Sequence, residues 1–73
     1  MSIILKYKRD NSTSSGFSTQ VCGLSEMQAK KLFKRTPTPS GRWRVGDEYI
    51  IKVDGDATAL MKRLLIDMGF YHK

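Results

Sequence analysis

Ala57, Leu60, Met61, Leu64, Leu65 and Met68 stand at i, i+3, i+4, i+7, i+8 and i+11. This spacing predicts a helix with one continuous apolar stripe. In a chain of 73 residues such a stripe constrains everything else. A domain this small buries only about 60% of its unfolded surface, so the remaining residues must turn apolar faces toward that helix. Asp56 is placed to cap its start. Gly69 suits the left-handed position after its end, and Phe70, one residue on, can pack back on Leu65. Lys62 and Arg63 fall on its outer side.

The partners for that stripe are read from alternation. Ile3, Leu5 and Tyr7 point one way and Ile4, Lys6 and Lys8 the other, the pattern of a half-buried strand with a basic outer face. Asp10 to Gly16 is uniformly polar turn chemistry and reads as a mobile hairpin loop. A second strand runs from Phe17 to Cys22, with Phe17, Thr19 and Val21 on one face. Ser25 and Gln28 then form a capping box, and Leu24 can staple onto Ala29. The helix they open runs to about Arg35, with Ala29, Leu32 and Phe33 as its apolar stripe and Met27 near the edge. Thr36 precedes a proline, which disfavours further helix. Two more strands are expected at Arg42–Val45 and Tyr49–Asp54.

A two-residue Gly46-Asp47 turn would put Trp43 and Val45 on the face opposite Tyr49, Ile51 and Val53. A three-residue Gly46-Asp47-Glu48 loop would bring the two sets together, and burial favours that odd loop, because a one-residue slip inverts a strand. The predicted fold is thus a single α+β domain over residues 1–73. Its order is β-β-α-β-β-α, with an antiparallel sheet and both helices on one face. The two halves share their element order without a residue-level repeat.

Charge narrows the class of function. Thirteen Lys and Arg against seven Asp and Glu give a net charge of +6, a field that attracts nucleic acid, an anionic membrane or an acidic protein. The best amphipathic helix needs its apolar face for the core, which argues against the membrane. Cys22 is the only cysteine, so no internal disulfide is available, and the apolar run at Ile3 to Leu5 is too short for a signal segment. A cytoplasmic monomer is expected.

Catalytic chemistry has little to work with. Zinc requires several Cys or His ligands, and the chain has Cys22 and His72. An activated nucleophile needs a base beside it, and the sole histidine lies near a chain end that is expected to fray. Cys22 reads as a small, partly buried hydrophobe. Turn formation and capping account for Asp54 and Asp56, which flank Gly55. Gly55 alone is no phosphate loop, and neither the RNA-recognition strand motif nor helix-turn-helix spacing is present. The expectation is a binding protein without catalytic residues, cofactor or metal.

Basic residues supply the binding candidates. Arg42-Trp43-Arg44 sets two guanidiniums on one side of a strand and an indole on the other. They read as a core tryptophan with solvated arginines or as an arginine pair that anchors a partner, and the two readings are compatible. Lys30, Lys31, Lys34 and Arg35 share the outer side of the first helix. Glu26 is their only acidic neighbour at helical spacing, so they read as a solvated face or an adhesive one. Lys6 and Lys8 would carry positive charge across the first strand.

A tiny, basic, cysteine-poor chain in this element order resembles bacteriophage host-takeover proteins, and among them the small transcription regulators that bind the host RNA polymerase. The resemblance covers the whole chain in length, charge and order, and Arg42-Trp43-Arg44 and the Lys30 to Arg35 stripe are compatible with it. It implies docking near the β′ N-terminal region and the β flap of the polymerase, in the host bacterial cytoplasm. It also implies inhibition of σ-dependent promoter engagement and read-through of terminators (antitermination), by protein–protein contacts. Two alternatives stay open. One is a nucleic-acid-binding domain that grips phosphates with the lysine stripe. The other is an anti-CRISPR or similar phage inhibitor of another host machine.

Overall fold

The fold was established from a computed structural model, which describes residues 3–37 and 39–71. His72 lies outside the described residues. The elements follow the expected order: β1 (Ile4–Arg9), β2 (Phe17–Leu24), α1 (Glu26–Arg35), β3 (Pro39–Val45), β4 (Glu48–Asp54) and α2 (Thr58–Asp67). The strands form one antiparallel sheet in the spatial order β1-β2-β4-β3.

Cross-strand partners share a face of the sheet, so the register sorts the side chains. Leu5 lies opposite Val21, Val21 opposite Ile51, and Thr19 opposite Val53. This is the face the helices cover. Val21, Leu24, Ile51 and Val53 meet Ala29 and Leu32 from α1 and Met61 and Leu65 from α2 in one buried cluster. Each large aliphatic side chain buried there contributes about 1.5–3 kcal/mol relative to exposure. Within the stripe of α2, Leu64 and Met68 are partly buried against the core, while Leu60 sits at its rim, 41% exposed.

Local chemistry sets the helix ends. Ser25 caps α1 and accepts from the Gln28 N–H, while the Gln28 side chain accepts from the Ser25 N–H at 2.9 Å, completing the capping box. The end of α2 is a Schellman motif: the Phe70 N–H donates to the Leu65 carbonyl and the Gly69 N–H to that of Ile66, with Gly69 at φ +77°. The start of α2 differs from expectation. Its cap is Ala57, which makes no side-chain bond there, and Asp56 instead accepts from the Thr58 N–H at 3.3 Å. Thr19 explains the shift. Its buried hydroxyl donates to the Gly55 carbonyl and accepts from the Ala57 N–H, both at 2.8 Å, tying β2 to the turn before α2.

Two strand features also depart from the sequence reading. β2 continues past Cys22 to Leu24 because a bulge, with Gly23 at φ +80°, adds one residue and rotates Leu24 into the core. The β3-β4 hairpin takes the two-residue turn rather than the odd loop: Val45 lies opposite Glu48, Arg44 opposite Tyr49 and Trp43 opposite Ile50. Trp43 and Val45 therefore face away from the helices, and Trp43 is 39% exposed rather than a core residue. Gly46, at φ +62°, supplies the left-handed backbone that two-residue hairpins need. The burial argument for the odd loop does not hold at β3, because it is the sheet edge: Arg42 to Val45 are all exposed, and on the helix side the Arg42 guanidinium lies over the Phe33 ring.

Candidate partner-binding surface

The strand order decides which basic residues meet. β4 lies beneath α1, and β3 pairs with β4, so Arg42 is carried up against the helix. Its guanidinium stacks over the Phe33 ring, 4.5 Å from the centroid. Such a contact contributes about 0.5–1 kcal/mol at an exposed site and holds the fork in place. A surface recess lined by Glu26, Ala29, Lys30, Arg42 and Tyr49 marks the seam between helix and strand. Arg44 stands opposite Tyr49 on the same side. Further along α1, Lys31, Lys34 and Arg35 line a second recess with Met68 and Phe70.

Six of the predicted cations thus lie along the helical layer and the adjoining edge of the sheet. Lys30 pairs with Glu26 at 3.4 Å, both side chains well exposed. Among the described residues, no carboxylate lies within ion-pair distance of Lys31, Lys34, Arg35, Arg42 or Arg44. Lys6 and Lys8 do not join them. They sit on the uncovered face of β1, opposite Gln20 and Ser18, at the far edge of the sheet. Trp43 shares that uncovered face, on the other side of β3 from the two arginines.

The uncovered face carries two features that sequence reasoning missed. One is an apolar row running across all four strands: Ile4 opposite Cys22, the bulge that brings Cys22 beside Ile50, and Trp43 opposite Ile50. Ile50 gave no signal, because its orientation depends on the hairpin register. The other is the loop from Asp10 to Gly16, expected to be mobile but tied to this face. Lys52 donates to Ser12 Oγ at 3.0 Å and pairs with Asp10 Oδ2 at 2.9 Å. The Ser14 and Ser15 hydroxyls and N–H groups all donate to the Asp54 carboxylate. Ser18 lies fully buried near Asp10.

These bonds set a pH response. Hydrogen bonds from the Ser14 and Ser15 hydroxyls hold the Asp54 carboxyl below its ordinary value of 3.8. The Ser12 hydroxyl, then Lys52, does the same for Asp10. Both pKa values are depressed in the folded state, so the stability they contribute is complete above the ordinary value and is lost as pH falls through the folded values. The loop is expected to keep its contacts down to about pH 4 and to release below it. The Ser14 and Ser15 amide resonances, followed by NMR on acidification, report this; a midpoint at or above 3.8 would contradict the assignment.

Asp54 is thus committed to the loop and Asp56 to Thr58, as turn and cap chemistry predicts in kind. Among the described residues, no three His, Cys, Asp or Glu side chains gather in a metal-binding group. Nor, among the described residues, is any helix long and apolar enough to cross a membrane. Comparison with known proteins finds no matching family, no matching curated protein and no matching solved structure.

Proposed function

We propose that the chain is a bacteriophage-type transcription regulator that binds bacterial RNA polymerase through protein–protein contacts, hindering σ-dependent promoter engagement and promoting terminator read-through. The whole-chain resemblance supports the choice of polymerase. The observation that supports a protein-binding mode is the seam between α1 and β3, where Arg42 is held over Phe33 beside Lys30 and Arg44. Planar guanidinium forks match carboxylates in pairs of bonds, and a fork already held in place loses less freedom when it binds. The surrounding lysines steer an acidic surface toward the seam. Binding, not bond-making, is the activity.

Phosphate binding is the second reading, favoured by the unpaired Lys31, Lys34 and Arg35 on one helix. Salt separates the two. A protein held by phosphates loses affinity steeply and uniformly as salt rises. The chain is expected to hold core RNA polymerase at physiological salt while binding duplex DNA weakly. It is also expected to inhibit a purified promoter-dependent reaction reversibly. Tight, sequence-tolerant DNA binding at that salt, or failure to bind polymerase from any plausible host, would overturn the proposal.

A further inference from the structure

We propose that the outer edge of β3 accepts an added β-strand from its protein partner, one in which acidic and apolar residues alternate. The inference rests on the protein-binding reading above and adds the mode of contact and the chemistry of the segment bound.

Backbone geometry comes first. β3 is an edge strand whose only strand partner among the described residues is β4. In a two-residue hairpin the residues flanking the turn exchange both backbone bonds, and the antiparallel ladder alternates from there. Val45 and Glu48 flank the turn. Val45 and Trp43 therefore spend their N–H and C=O groups on β4, and Arg42 and Arg44 direct theirs outward. Two backbone defences of an edge, a proline and a bulge, sit at the other end of the strand, at Pro39 to Gly41, and the charges left on the open stretch, Arg42 and Arg44, repel like charges but not an acidic strand. The stretch from Arg42 to Val45 is left regular and open.

Side chains then say what fits. A strand added there would place alternate residues beside Arg42 and Arg44 on the helix side, with Lys30 close by. The residues between them would lie beside Trp43 and Val45, which are 39% and 58% exposed. On the first side carboxylates complete pairs with unpaired guanidiniums. On the second, apolar side chains extend the row Ile4, Cys22, Ile50 and Trp43 by one more strand. Addition of β3 from a second copy is disfavoured, because it would set arginines among arginines at a net charge of +6. A strand running along this edge would meet the arginines on one side and the indole on the other.

The probe is a short capped peptide alternating Glu and Val, compared with a peptide of the same composition in two blocks. The alternating peptide is expected to bind about tenfold tighter or more, a difference of about 1.4 kcal/mol. It should slow hydrogen exchange at the Arg42 and Arg44 amides and leave the Trp43 amide, already bonded, unchanged. Arg44→Pro, which removes an outward N–H, should bind it more weakly than Arg44→Ala, which loses the same charge. Equal binding of the two peptides, or unprotected Arg42 and Arg44 amides, would overturn the edge assignment; the exchange measurement needs no variant and stands even if Arg44→Pro fails to fold. Exchange in the complex with core polymerase separates the two claims. Binding without protection at Arg42 and Arg44 defeats the edge and spares the polymerase reading. Peptide docking at the edge without polymerase binding does the reverse.

Discussion

Leu65→Ala is expected to destabilise the domain by about 2–5 kcal/mol. At about 0.05–0.15 kcal/mol per residue, a chain of this length has only some 4–11 kcal/mol in total. Leu65 is fully buried in the cluster with Met61, Leu32, Val21 and Ile51, and its removal leaves a cavity between α2 and the sheet that a small core cannot collapse to fill. The loss also weakens the Schellman end, because Phe70 packs against the same core. Leu60→Ala is the matched comparison. The two positions share the apolar spacing of α2, yet Leu60 is 41% exposed, and its change is expected to stay below about 1 kcal/mol. Chemical denaturation of both variants reads the difference in midpoint. Equal losses would mean that α2 is rotated from the placement described.

The gap between Leu65 and Leu60 shows what periodicity conveys. A stripe at helical spacing names the side that faces inward, but only the sheet beneath decides which members reach the centre. Element order was legible for the same reason: alternation in β1, the capping box of α1 and the glycine after α2 are local signals, each set by residues within a few positions of one another. The face of Trp43 was not, since it turns on whether the Gly46 hairpin is even or odd; the even turn puts Arg42, not the indole, on the helix side. Leu24 looked like a staple residue outside a strand because the bulge at Gly23 is a backbone event with no side-chain pattern. The binding candidates were legible as residues but not as a surface. Arg42 and Lys30 meet only because β4 returns between β2 and β3, which is also what strands Lys6 and Lys8 at the opposite edge.

The double change Arg42→Ala and Arg44→Ala is expected to weaken the complex with RNA polymerase by about 30-fold or more, the roughly 2 kcal/mol that marks an anchoring residue. Lys62→Ala with Arg63→Ala removes the same net charge from the outer side of α2 and is expected to cost only a few-fold through weaker steering. That pair is a fair control, because Arg63 contacts Asp67 only at 3.9 Å in an exposed pair and Lys62 stands 6.0 Å from the Tyr71 ring centre. Exposed contacts of this kind contribute little to the fold. Arg42 needs one further check, since its stacking on Phe33 is lost as well. A melt of the double variant should fall by no more than that contact allows, about 1 kcal/mol. The split between rates is the sharper reading: long-range charge acts on association, whereas a guanidinium seated against a carboxylate acts on dissociation. Faster dissociation from the Arg42 and Arg44 change alone, with both double variants slowing association alike, is the result that an anchor requires. Comparable losses from the two pairs, confined to association, would leave net charge as the whole effect and remove Arg42 and Arg44 from the interface.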